Sequence, residues 1–145
     1  MGTISKNFSY AEFERSETAR NAGITNVITE FRVRDAIREL TLTVLQPLRD
    51  ASGTQIVISS GYRCPALNSH PDIGGSPTSQ HVKGEAADIM SRVLTPLQLA
   101  RLIVKLQLPF DQLILYPTFV HVSHRLEGAQ RWQILYNHRY KGQNI

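Results

Sequence analysis

Residues 79–90 run Ser79-Gln80-His81-Val82-Lys83-Gly84-Glu85-Ala86-Ala87-Asp88-Ile89-Met90, and a turn meets a strand within them. Gly84 and the small Ala86 and Ala87 allow a tight turn and close backbone approach. Ala86 to Met90 then reads as a short buried strand. Asp88 stands out there, because a charged group among apolar neighbours is costly unless it is paired or bound to a metal.

The rest of the chain arranges itself around this stretch. Upstream, Ser9 and Glu12 form a capping-box pattern, so a short helix is expected from Tyr10 toward Ser16. A longer helix is expected over Thr29 to Asp50, with Val33, Ile37, Leu40, Val44 and Leu48 as its buried stripe. Pro47 should bend its last turn, and Gly53 lies just past its end. Gln55 to Ser59 is a β-branched run and reads as a strand. Gly61 to Ser79, rich in Gly, Pro, Ser and Asn, reads as a long loop of the kind that usually carries function.

Downstream, Thr95, Pro96 and Gln98 mark the start of another helix, whose apolar face is Leu99, Leu102, Ile103 and Leu106. Strands follow at Gln112 to Tyr116 and Phe119 to Ser123, joined around Pro117, with a last one at Gln133 to Tyr136. Helices come first and a mostly antiparallel sheet follows, so the fold class is α+β. At 145 residues the chain is the size of one domain, and residues 1–145 are read as a single unit.

Composition excludes several classes. Hydrophobic residues make up 41% and charged residues 19%, the balance of a globular chain rather than a disordered one. No apolar run approaches the roughly 20 residues that cross a bilayer, so no membrane partner is expected. Met1 to Asn7 is polar, without a signal-peptide pattern, and the single cysteine suits a reducing compartment. The expectation is synthesis in the cytoplasm as a monomer. A formal charge of +4 favours polyanions. Its basic residues are not interleaved with aromatics in a stacking pattern, so nucleic acid is not expected as a partner. Arg131, His138, Arg139 and Lys141 read as a solvated basic tail.

Reactive side chains gather in three segments: residues 79–88, Phe119-Val120-His121-Val122-Ser123-His124, and Ser60-Gly61-Tyr62-Arg63-Cys64-Pro65. In a strand, Val120 and Val122 take the core side and display His121 on the opposite face. A lone strand histidine is ordinarily structural or exposed. With His81 and Asp88 it would complete a two-histidine, one-carboxylate zinc set that leaves a fourth position for water. A hydrogen-bonded aspartate with unrelated histidines fits the spacing too. Cys64 beside Arg63 could be a nucleophile, but free cysteines more often act as small buried hydrophobes.

Ser79, His81, Gly84, Ala86 and Asp88 together resemble the Ser-x-His-x-x-Gly-x-Ala-x-Asp signature of the zinc D-Ala-D-Ala carboxypeptidase family. That family includes phage endolysins cutting L-Ala–D-Glu bonds, vancomycin-resistance dipeptidases and the peptidase-like domain of Hedgehog proteins. Phe119 to Ser123 is similar to its Trp-Val-His-Val-Ser type strand, and Ser60 to Pro65 to its short arginine motif. Their order and spacing match over nearly the whole chain. The resemblance implies a Hedgehog/DD-peptidase-like fold and zinc (Zn2+) held by His81, Asp88 and His121. It also implies hydrolysis of peptidoglycan stem peptides, by D-Ala-D-Ala carboxypeptidase or L-Ala-D-Glu endopeptidase action at the bacterial cell wall. A phage endolysin, released to the wall during lysis, fits that picture.

By the same likeness, Arg63 is the catalytic and substrate-binding arginine, suited to a carboxylate or to charge developing on a carbonyl oxygen. Ser79 is either a substrate-side hydroxyl or a turn hydroxyl. The chain departs from the family where a Glu or Asp usually precedes the second histidine, for Thr118 and Tyr116 stand there. Tyr116 could donate a hydrogen bond to the substrate oxygen. His124, Glu85 and Asp111 are neighbours with no clear inward aim, so the general base stays unassigned. The alternative is a zinc-containing wall- or protein-binding module that has lost catalysis.

Overall fold

Helices dominate the first third of the chain and the strands of a five-stranded sheet all lie in the remainder, as expected for α+β; the computed structural model describes residues 2–145. A small hairpin, β1 (Thr3–Ser5) and β2 (Phe8–Ser9), leads into α1 (Tyr10–Glu14). The Ser9–Glu12 capping box forms there, with the Ser9 N–H donating to the Glu12 carboxylate at 2.8 Å. The next helix, α2 (Glu17–Ala22), lacks a readable pattern because it buries Ala19 alone. Its caps nonetheless follow local rules. Ser16 accepts from the Ala19 N–H at 3.1 Å, and Gly23 closes it at φ 69°.

The expected long helix is continuous but not uniform. It comprises α3 (Phe31–Leu40), a π-helical turn at Thr41–Leu45, and α4 (Gln46–Ser52), closed by Gly53 in a left-handed conformation. Pro47 accounts for the wide turn. It has no N–H for the Thr43 carbonyl, and its ring crowds that carbonyl, so the helix relaxes one turn upstream rather than bending at its end. Thr41 and Thr43 hydroxyls donate back to the Ile37 and Glu39 carbonyls at 2.8 and 2.6 Å. The predicted stripe survives, with Val33, Ile37, Leu40, Val44 and Leu48 all buried.

The sheet contains β3 (Val57–Ser60), β4 (Ala86–Met90), β5 (Gln112–Leu115), β6 (Val120–Ser123) and β7 (Gln133–Tyr136), ordered β3-β4-β6-β5-β7. Every pairing is antiparallel except β5 with β7. A single helical turn, α5 (Pro65–Asn68), interrupts the long loop after β3. The last helix, α6 (Pro96–Lys105), begins with the expected Thr95–Gln98 capping box and packs over β5 and β6.

One face of the sheet joins the helices in the core. Ile89, Leu113, Leu115, Val120 and Val122 are fully enclosed there with Ile37, Leu40, Leu99 and Ile103. Each such side chain contributes about 1.5–3 kcal/mol relative to exposure. The opposite face carries the polar residues of the same strands. Among the described residues no helix is long and apolar enough to cross a membrane.

Two glycines let the helices approach that polar layer. A Cβ on Gly61 would lie 2.7 Å from the Phe13 Cα, and one on Gly84 2.7 Å from the Val33 carbonyl oxygen. Gly84 also sits at φ 75°, so its turn rests directly on α3. Gly84→Ala should therefore lose about 1–3 kcal/mol of stability. Urea unfolding reads this, and an unchanged midpoint would show that the contact with α3 is not required.

Candidate metal centre

Strand register brings two of the three expected ligands together. Asp88 on β4 lies directly opposite His121 on β6, and Ile114 on β5 continues the same row. Residues opposite each other in an antiparallel pair point to the same face. Ala87, Ile89, Val120 and Val122 fill the core side, so Asp88 and His121 are left on the open side. The His121 Nδ1 lies 2.9 Å from Asp88 Oδ1.

The third side chain arrives from the turn at 81–84. His81 N–H donates to the Ser79 hydroxyl at 3.2 Å, and the His81 carbonyl accepts from the Arg63 N–H at 3.2 Å. Its ring is buried, with Nε2 3.3 Å from Asp88 Oδ1. The two imidazoles meet edge to face with centroids 5.1 Å apart. One ligand atom from each of His81, Asp88 and His121 lies within 4.8 Å of the others.

The donor set suits a divalent metal. His81 Nδ1 is 2.7 Å from the Gly61 carbonyl, which can only accept, so the proton sits on Nδ1 and the Nε2 lone pair faces Asp88. Burial lowers the His81 pKa, outweighing the opposing pull of Asp88, and favours the neutral imidazole. Burial alone would raise the Asp88 pKa. The His121 and His81 imidazoles beside it reverse that and hold it well below the usual carboxylate range. An ionised carboxylate and a neutral imidazole are the forms that ligate metal.

Arg63 closes one side. Its Nη2 stands 3.6 Å from Asp88 Oδ2, while Nε donates to the Ser60 hydroxyl at 3.1 Å and Nη1 to Asn68 Oδ1 at 3.4 Å. Burial lowers its pKa, Asp88 pulls it back, and a guanidinium stays charged throughout. Arg63, Ser79, His81, Asp88, Tyr116 and His121 all line one cleft of about 550 Å³. Tyr116 stacks on Phe119 with centroids 4.2 Å apart. Burial and then the Asp88 charge push its phenol up, so it remains a proton-bearing donor.

The remaining candidates lie elsewhere. His124 follows the end of β6, where its Nδ1 meets the Pro109 carbonyl and its N–H donates to the Glu85 carbonyl at 2.9 Å. Glu85 and Asp111 are buried beneath the cleft in hydrogen bonds, and Thr118 is exposed in the hairpin turn. His70 pairs with Asp72 on the loop surface. Asp88 is thus the one carboxylate among the described residues that line the cleft.

Two asparagines escaped sequence reading. Buried Asn26 donates to the Glu14 and Tyr62 carbonyls at 2.9 Å and accepts from the Cys64 N–H at 2.8 Å. Buried Asn68 donates to the Ser76 carbonyl at 2.8 Å and accepts from Arg63. Both clamp the segment that carries Arg63, but over distances in sequence that leave no local signature.

A protein-family model described as Peptidase M15 matches residues 6–123. Over 84 residues the chain is 33% identical to the zinc D-Ala-D-Ala carboxypeptidase of Streptomyces albus G, which covers 57% of this chain. The match spans only 31% of that relative's length.

The clamp at Asn68 is testable apart from any activity. Asn68→Ala removes two hydrogen bonds of a buried side chain, one to the Ser76 carbonyl and one from Arg63, so it should cost about 1–3 kcal/mol in chemical unfolding. A wild-type midpoint in that variant would show the loop to be held by other contacts.

Proposed function

Because the chain belongs to the Peptidase M15 family, we propose that it is a zinc peptidase of peptidoglycan stem peptides, with His81, Asp88 and His121 as the zinc ligands. The observation that carries the reading is the convergence of those three ligand atoms within 4.8 Å, in a cleft that Arg63 also lines. The zinc in the name of the Streptomyces albus G relative agrees with this donor set. A net charge of +4 suits approach to an anionic wall. Release to that wall as a phage endolysin is the delivery route that we favour.

Zinc held there supplies an acidified water and polarises the scissile carbonyl. The chain's own residues do the rest. Arg63 keeps a positive charge at the edge of the ligand set, where negative charge grows on the substrate oxygen. Tyr116, proton-bearing, donates to that oxygen or to a neighbouring carbonyl. The Ser79 hydroxyl accepts from the His81 N–H, which leaves its own proton free to donate to bound peptide. Asp88 orients both imidazoles through one oxygen and meets Arg63 through the other.

Among the described residues no second carboxylate lines the cleft to carry a proton to the leaving amine. That observation favours a second reading, a zinc-holding domain that binds stem peptides without turning them over. Purified walls separate the two. The peptidase releases new amino groups, and a chelator abolishes the release. Free D-alanine as product identifies a carboxypeptidase, and a new N-terminal glutamyl residue an endopeptidase. Zinc-loaded protein that releases neither from several wall types would exclude the peptidase.

Metal analysis should find about one zinc per chain. His81→Ala and His121→Ala should each weaken binding by at least about 10-fold, the size of effects from groups one step further from the ion. Full zinc occupancy in both variants at limiting metal would refute the ligand assignment. Arg63→Ala should keep its zinc and lose about 10²–10³ in kcat/KM, with Arg63→Lys recovering only part because a lysine lacks the fork. Unaltered kinetics in Arg63→Ala would remove this residue from the reaction.

A further inference from the structure

The cleft contains a second arginine that the metal centre does not use. Arg131 lies beyond the residues matched by the family model, on the segment that leads into β7, and it lines the cleft together with Gln112 and Ile114. Arg131 is exposed like His138, Arg139 and Lys141, but its guanidinium is held in place by hydrogen bonds to a buried carboxylate.

What fixes it is Asp111, whose side chain is 0% exposed. The Arg131 backbone N–H donates to Asp111 Oδ1 at 2.8 Å, Nε reaches both carboxylate oxygens at 3.1 Å, and Nη2 donates to Oδ2 at 2.7 Å. Arg125 Nε lies 3.4 Å from the same carboxylate. Gln80, next to His81, bridges Asp111 and buried Glu85 through its Nε2 at 3.1 and 3.2 Å. The charges are layered. Two carboxylates lie underneath, and two guanidiniums lie above with side chains 42% and 37% exposed.

Every hydrogen bond of Arg131 among the described residues uses the backbone N–H, Nε or Nη2. Nη1 is left over on a guanidinium already held in place. A fork fixed from behind has lost its conformational freedom before any ligand arrives, which favours charge-assisted binding of an anion.

We propose that Arg131 is a carboxylate subsite of the cleft, reading an acidic group of the peptide remote from the bond that is cut; this rests on the peptidase reading above. Sheet topology sets the scale. Arg63 follows β3 and Arg131 precedes β7, the two edge strands. Their charged ends reach inward, Arg63 to Asp88 on β4 and Arg131 to Asp111 at the start of β5, so two strand spacings of about 4.8 Å, roughly 10 Å, separate the two guanidiniums across the sheet. An extended peptide advances about 3.3 Å per residue, so a ligand that touches both arginines spans about three residues or more. The ligand class is thus an acidic oligopeptide, such as a stem peptide with a free glutamyl or diamino-acid carboxylate, rather than a dipeptide.

The test compares a stem peptide bearing free carboxylates with the same peptide amidated at its internal carboxylates. Affinity is measured by calorimetry on the chelator-treated protein, and kcat/KM on the zinc-loaded protein. Wild type should favour the acidic peptide by about 10-fold or more, the order expected for a charge-assisted pair. Arg131→Gln should abolish that preference. Since Arg131→Gln leaves Asp111 short of a partner, Arg131→Gln combined with Asp111→Asn removes both charges and should give the same result in a stable fold.

A purely bracing role would weaken both peptides alike and leave their ratio intact, which overturns the subsite. So does a preference that persists without Arg131, an equal affinity in wild type, or no binding of either peptide. Chelator-sensitive wall hydrolysis with no acid-over-amide preference would reject Arg131 and keep the peptidase. An Arg131-dependent preference without any hydrolysis would do the reverse.

Discussion

Everything at the open face of the sheet answers to the burial of one charge. Asp88 sits in a strand whose neighbours are sealed in the core, and an isolated carboxylate there would be too costly to keep ionised. Its oxygens are met by His121, His81 and Arg63 at 2.9, 3.3 and 3.6 Å. Each partner comes from a different part of the chain: a paired strand, the turn before β4, and the loop after β3. Satisfying this carboxylate therefore fixes the relative positions of three segments at once. The same compensation leaves two imidazoles facing a common point, which is the geometry a divalent ion requires.

Backbone contacts make that arrangement rigid. The Gly61 carbonyl orients the His81 ring, and Gly61 itself lies so close to Phe13 that no side chain fits between them. Gly84 repeats the device against Val33. The helices thus set the height of both site loops above the sheet, while Asn26 and Asn68 tie the Arg63 segment down. A proposed catalytic group on a loop gains the precision of the core in this way.

Legibility in the sequence followed the range of each interaction. Capping boxes at Ser9 and Thr95, the stripe from Val33 to Leu48 and the strand at Ala86–Met90 are local patterns, and the structure reproduces them. The convergence of Asp88 with His121 was suggested by residue type and motif order, yet only strand register places them opposite each other. Three things stayed hidden. The π-helical turn reflects Pro47 acting on a carbonyl one turn back, α2 buries a single alanine, and the layer of Asp111, Glu85, Gln80 and Arg131 joins positions scattered along the chain. A charge whose partner lies far off in sequence looks like any surface charge until the fold is known.

The absence of a second cleft carboxylate bears differently on binding and on turnover. With Asp88 as the one acid, the described lining carries two permanent cations, Arg63 and Arg131, and a divalent ion at the ligand set would make it more positive still. On the proposed reading, such a cleft would draw in anionic peptides and stabilise negative charge on a substrate oxygen. It does less for the departing amine, which must gain a proton, and a phenol held above its usual pKa by burial is a reluctant donor of one. Recognition and carbonyl activation would therefore be the strong elements of the proposed peptidase site, and proton delivery the weak one. In the proposed peptidase, that imbalance would put the difficulty at proton delivery to the leaving amine rather than at capture of the peptide.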